Sequence, residues 1–421
     1  MFNLLKLVKI LRPPAKTGQH NEDLYQNNIF WLKILSIFRS MYFVVPVWVS
    51  MELQYITLTQ VAIIEIVCLL SALLLELPTG ALADLIGRKK SIVISFLVSS
   101  LAYLTFAYAN NFLWFLIAGL GFGLGDALLS GALEALVFDT LKQNRKEDQF
   151  SEINNRNQLI FNYSIVFAII VGGLLFTKYY HLPAILTSIS FFIASLVATK
   201  FVEPDIDSEK FTLKNYLLQT KMGFKELFKN KQARDISLFY ILVGSLTWPI
   251  VISFKNFSLV DLGVSERNMG FIFAFLSLFA VQFLHVLIRR KIFEKMKVVF
   301  LMPAILLSVF LPLSYFYNVP IMVGIILIVF LVSSMRWNIL GKLSNQCYSS
   351  KNRATAISSL SMMINLIYIL SLGAFAIINE YLPNAVRIIL MIMGFGSVFF
   401  LLPIAIKLKN KYHDKVLVTY D

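Results

Sequence analysis

The chain has 421 residues, 58% of them hydrophobic and only 15% charged, with a mean hydropathy of +0.73 and a formal net charge of +14. A water-soluble surface needs far more charge, so the composition excludes a soluble globular domain and indicates a polytopic membrane protein. The alternation of barrel strands is missing, which leaves α-helices of about 20 apolar residues as the spanning element.

Residues 1–28 form a basic N-terminal segment in which Lys6, Lys9 and Arg12 interrupt Leu4, Leu5, Leu7, Val8 and Leu11. The pattern fits either a short amphipathic helix on the membrane surface, ended by Pro13 and Pro14, or a basic tail; no secretory cleavage pattern follows it. Apolar runs then predict twelve spans, near 29–50, 58–80, 90–109, 112–138, 158–177, 183–202, 235–255, 267–288, 298–317, 319–341, 354–379 and 384–407. With both termini cytoplasmic, about 31 of the 38 Lys and Arg residues fall in inside segments, and the opposite orientation breaks the positive-inside rule. The same dispersal of basic residues argues against a nucleic-acid partner.

The expected organisation is therefore all-α, with twelve transmembrane helices in two pseudo-symmetric six-helix bundles. They occupy 29–202 and 235–407, joined by a cytoplasmic linker at 203–234 and followed by a tail at 408–421. In the linker, Phe211, Leu213, Tyr216, Leu217, Met222, Phe224, Leu227 and Phe228 alternate with lysines at helical spacing, as in an amphipathic helix. A plain tether is the alternative reading.

Between the second and third spans runs ELPTGALADLIGRKK, in which Gly80, Asp84, Gly87, Arg88, Lys89 and Lys90 make a short basic turn. The glycines permit a sharp connection, and Asp84 can accept hydrogen bonds from exposed helix N-terminal amides. Aligning Arg289 with Arg88 reveals an eroded copy between spans eight and nine, with His285 opposite Asp84 and Arg290 and Lys291 retaining the charge.

Several spans carry ionisable residues, which are expensive in hydrocarbon and mark functional positions. They are Arg39 in span one, Glu65 and Glu76 in span two, Asp126 and Glu134 in span four, and Arg336 in span ten. Asp126, Ser130 and Glu134 recur every four residues, which puts them on one side of a continuous helix, beside a small-residue stripe of Gly119, Gly123, Ala127 and Gly131. Arg39 can grip an anion bidentately or neutralise Glu65 or Asp126, whereas Asp126 and Glu134 are candidates for proton coupling or cation binding. Lys33 and Lys255, near span ends, are expected to snorkel, and Trp248 and Gln282 are candidates for a substrate wall.

The spacing Gly-x3-Asp-x2-Gly-Arg-Lys-Lys resembles the signature between the second and third helices of the major facilitator superfamily, and SGALEALVFDTLK and NRATAISS are similar to stretches common among its bacterial permeases and efflux proteins. The resemblance implies alternating access of a small-molecule substrate in the bacterial inner membrane by a monomer. It implies a cytoplasmic latch in which Asp139 receives Arg88 and the start of span eleven, near Ala354 and Thr355, meets Asp84. The leading expectation is proton-coupled export of a small organic or amphiphilic compound; the alternative is proton-coupled uptake or uniport of a nutrient. The span-five signature of drug–proton antiporters is only half kept: Gly172 and Gly173 are present and its proline is absent. No phosphate loop or zinc motif occurs, His20, His181, His285 and His413 are scattered, and Cys68 and Cys347 suggest neither disulfide nor metal, so neither enzyme nor cofactor is expected. A non-transporting sensor or scaffold is the remaining class.

Overall fold

The computed structural model describes residues 20–204, 213–349 and 352–412; within these, the side chains of 20, 21, 76–85, 151, 213–217 and 354 lie outside the description. All regular structure among the described residues is helical. Among the described residues, ten helices are long and apolar enough to cross a membrane. Of the two other expected spans, the sixth is a helix of 17 residues, Leu182–Ala198, and the first is broken into two pieces. The chain divides into two compact units, one of residues 1–45 and 67–213, the other of 46–66 and 214–421. The division thus falls inside the expected linker, and the residues around the first loop cluster with the C-terminal unit.

In the first unit, α1 (His20–Phe38) ends where a continuous first span was expected, and the backbone stays irregular until α2 (Trp48–Glu52). Two hydroxyls loosen this end: Ser36 bonds back to the Leu32 carbonyl and Ser40 to those of Ser36 and Ile37. The irregular segment fits because α7 (Phe150–Phe176) carries Gly172 against it, where a Cβ would stand 1.8 Å from the Phe43 carbonyl oxygen.

Helix α3 (Leu58–Ile86) leads to α4 (Arg88–Tyr108) and α5 (Phe112–Leu129). Serine hydroxyls tie α4 to its neighbours, Ser91 to the Leu128 carbonyl and Ser95 to that of Gly125 at 2.8 Å each, and Ser100 to Ser188 of α8 (Leu182–Ala198). With no water in hydrocarbon to compete, such bonds and the close approach of small residues hold helices that apolar burial alone cannot. Gly123 belongs to this packing, facing Cys68 and Ser71 of α3.

Span four is not the continuous helix expected. Helix α5 stops at Leu129, Ser130 is extended, and Gly131 takes φ +73° before α6 (Ala132–Gln143) begins. Gly131 is therefore a hinge rather than part of the packing stripe, and a Cβ there would meet nothing within 4 Å.

The second unit begins with α9 (Leu213–Leu227), the helix expected in the linker, and it is docked rather than a tether. Gly223 lies against Thr355 and Ser359 of α16 (Arg353–Tyr381), where a Cβ would stand 2.5 Å from Ser359 Oγ. Glu226, 7% exposed, accepts hydrogen bonds from the Ser349 amide at 2.7 Å and Asn352 Nδ2 at 3.4 Å, and pairs with Lys229. Burial pushes the Glu226 carboxyl up, but the bonds from Lys229, the Ser349 backbone and Asn352 outweigh it and bring it down to about 2.

Three long helices of this unit contain a π-helical turn, at Ile250–Phe254, Arg336–Leu340 and Ser397–Leu401. The first joins α10 (Lys231–Pro249) to α11 (Lys255–Asp261), and the second joins α14 (Val319–Met335) to α15 (Gly341–Cys347). Such turns insert an extra residue and re-aim side chains, frequently at functional sites.

Candidate functional site

The turn after α3 is built around the N-terminus of α4. Gly87 adopts φ +94°, which only glycine takes without strain, and this aims the first amides of α4 at an acceptor. That acceptor is Glu203, whose two carboxylate oxygens take the amides of Arg88 and Lys89 at 2.7 Å each. The positive end of a helix dipole favours such an anion. Sequence reasoning missed Glu203; its signal was an acidic residue immediately after span six, one bundle-length away in the chain. Arg88 itself turns to α6, where it pairs with Asp139 and donates to the Ala135 carbonyl at 3.0 Å. Beside this cluster, the buried Asn28 bonds Thr140 Oγ1 at 2.9 Å and both backbone polar groups of Val202 at 2.8 Å.

The side chains of Asp84, Glu76 and Ala354, with the Asp84 contact expected at span eleven, lie outside the described residues, as does any side-chain surrounding of Gly80. Lys89 is half-buried and Lys90 exposed. In the eroded copy the left-handed residue is Lys291, φ +59°, three places beyond the position aligned with Gly87.

Arg39 follows the last residue of α1 and so sits at the break in span one rather than in the middle of a helix. Its guanidinium lies 5.6 Å from the Phe161 ring centroid, and its buried Nε has no hydrogen-bond partner. Asp126 and Glu134 keep exposed side chains on either side of the Gly131 hinge, so the four-residue stripe is split between two helices instead of running along one. Glu134 is the carboxylate whose charge reaches Arg39. Neither acid forms an ion pair with Arg39 among the described residues.

Glu65 clusters with the second unit. There its Oε1 accepts from Tyr368 Oη at 2.9 Å, and Tyr368 in turn contacts Ser253 Oγ. Its charge also reaches Glu52 and Lys255. Lys255, expected to snorkel, is instead 6% exposed, since the first π turn carries it inward; its ammonium donates to the Val251 and Ile252 carbonyls and lies 5.2 Å from the Phe273 ring. Glu52, which sequence reasoning passed over as a loop residue, is 2% exposed with Oε2 unpartnered. Thr59 and Asn379, bonded at 3.0 Å, and Trp48 and Phe257, with rings 6.0 Å apart, hold 46–66 in this unit.

Arg336, at the start of the second π turn, is 2% exposed. Its Nη1 donates to Tyr240 Oη at 3.0 Å, and its guanidinium carbon lies 4.3 Å from the Trp337 ring centroid, 5.1 Å from Tyr240 and 5.7 Å from Trp248. Trp248, a predicted wall residue, is thus brought to Arg336, whereas Gln282 remains exposed on α12 (Glu266–Arg289). Tyr240 and Trp337 were not singled out from sequence, although Trp337 adjoins Arg336 in the chain.

A model of the Major Facilitator Superfamily matches residues 31–370. An MFS-type transporter of Bacillus subtilis (strain 168), YxaM, is 25% identical over 262 residues, 59% of this chain and 62% of that protein, so the match spans less than two thirds of its length. Among solved structures, the nucleoside transporter NupG is 16% identical with a TM-score of 0.66, over 92% of this chain and all of that one. The peptide transporter POT in complex with sulfate is 13% identical with a TM-score of 0.65, over 97% and 98% of the two chains.

Proposed function

The chain belongs to the Major Facilitator Superfamily of membrane transporters, and from that premise we propose that it is a secondary active transporter working by alternating access, coupling proton movement to export of a small organic or amphiphilic compound. We place it in the bacterial inner membrane with both termini cytoplasmic. The observation that carries the proton-coupled reading is the set Arg39, Asp126 and Glu134. An ionisable side chain within a membrane-spanning stretch is expensive and marks a functional position. Residues retained at that cost, at a helix break and a glycine hinge, without ion pairs to one another, serve something other than structure. A scaffold gains nothing from them. The turn of Gly80, Asp84, Gly87, Arg88, Lys89 and Lys90, with Asp139, acts in this reading as the gating latch, supported by the pairing of Arg88 with Asp139.

The test is proton flux in proteoliposomes loaded with a pH-sensitive dye, challenged with nucleosides, dipeptides and amphiphilic carboxylates. Wild-type protein is expected to move protons with at least one class, and Asp126→Asn with Glu134→Gln to cut that flux by tenfold or more. Substrate flux with no response to a pH jump defeats proton coupling. Accumulation in inside-out vesicles supports export; accumulation only in right-side-out vesicles replaces it with uptake.

A further inference from the structure

We propose that Arg336 and its aromatic surround form the subsite for an organic carboxylate, so that the transported compound is an amphiphilic anion whose apolar body rests on Trp248 and Trp337. The proposal rests on the transporter reading and names its substrate class.

The guanidinium is buried in a helix apolar enough to span a membrane, and every group that touches it is neutral. No carboxylate pairs with it among the described residues. Buried charges are ordinarily paired, because an isolated one keeps most of its desolvation cost. The rings and the Tyr240 hydroxyl offset part of that cost through cation–π attraction and one hydrogen bond. They leave the rest, and Nε, buried and without a partner, records the shortfall.

The geometry then says which ligand would complete the site. Aromatic rings offset a guanidinium's charge but do not satisfy its in-plane N–H groups, which still call for hydrogen bonds. Nη1 is committed to Tyr240, and Nε and Nη2 share the opposite edge, which matches the two oxygens of a carboxylate in parallel hydrogen bonds. The π turn sets Arg336 and Trp337 out of ordinary helical register. Trp337 is 50% exposed and meets Trp248 edge to face at 6.3 Å, giving two indole surfaces beside the guanidinium. Indole surfaces favour an apolar or aromatic body.

Binding of indole-3-acetate, benzoate and octanoate to the full chain in nanodiscs, read by tryptophan fluorescence and thermal shift, tests this against the matching amides and against phenyl phosphate. The acids are expected to bind at least tenfold more tightly than their amides. Arg336→Lys, which keeps the charge and loses the fork, should weaken them about tenfold. Trp337→Ala, at a half-exposed position, should do the same with Tm unchanged. Equal binding of acids and amides, unaltered binding by Arg336→Lys, or no binding of any acid at millimolar concentration overturns the proposal; tighter binding of the phosphate replaces the carboxylate with another oxyanion. Counterflow of radiolabelled probe separates the two readings. A probe bound through Arg336 but never moved defeats transport and leaves the subsite, whereas counterflow of an acid probe unchanged by Arg336→Gln defeats the subsite and leaves transport.

Discussion

Replacing Glu226 by Gln tests whether the helix after the first unit is docked by a single carboxylate. The native side chain takes the Ser349 amide at 2.7 Å, the Lys229 ammonium and, more weakly, Asn352 at 3.4 Å, while 7% exposed. A hydrogen bond to a charged group is worth about 1.5–3 kcal/mol and a neutral one about 1 kcal/mol. Glutamine keeps one acceptor for Ser349, and the half-exposed Lys229 pair adds only about 0.2–0.5 kcal/mol, so the net loss is about 1.5 kcal/mol. That is a little over tenfold in the constant for local opening. Hydrogen exchange of amides 218–229 in nanodiscs should accelerate by this factor, with the bundle helices unchanged. The pH dependence has a definite sign. Held near 2 when docked, against an ordinary value of 4.5, the carboxyl stabilises docking fully above about 4.5, and this is lost as pH falls toward 2. Glu226→Gln should exchange without that slope. Unchanged exchange in the variant, or a slope that survives it, refutes the reasoning.

Gly172→Ala should lower the Tm of the purified protein, because its Cβ would stand 1.8 Å from the Phe43 carbonyl oxygen and 2.7 Å from its carbon, backbone atoms that must move; overpacking of this kind costs about 1–3 kcal/mol or more. An unchanged Tm would show that the break in span one is soft. A double-mutant cycle of Arg88→Gln with Asp139→Asn, followed by thermal unfolding, should return a coupling of about 1–2 kcal/mol, since both partners are mostly buried at 20% and 14% side-chain exposure. Additive effects of the two substitutions would mean that the pair is incidental.

Much of the architecture was legible in one sequence, because hydrocarbon forces every backbone amide into a helix and therefore writes spans as long apolar runs. The family resemblance read from Gly80 to Lys90 extends to a match over 31–370. Asn111, Asn230 and Asn318 each cap the helix they precede, a local signal. Continuity is what hydropathy cannot report: it does not register a break when the breaking residues are Ser40 or Gly131, so from sequence Arg39 falls within span one and Asp126 and Glu134 fall on one stripe. Glu52 and Lys255 were hidden for the opposite reason, since charged residues near span ends are ordinarily solvated and nothing local marks these as buried.

The sequence by itself determined what depends on short-range chemistry. Apolar length set the spans, scarce charge indicated a polytopic membrane protein, and a glycine and three basic residues marked the turn at 87–90. Tertiary structure decided which charges meet. Glu203 caps the helix begun by Arg88 although 115 residues separate them, Glu65 finds Tyr368 at a separation of 303, and Arg336 is surrounded by aromatic rings from α10 as well as its own helix. Such pairings follow from how helices lie side by side. In an apolar medium that is set by small residues and hydroxyls at close approach rather than by any pattern along one helix.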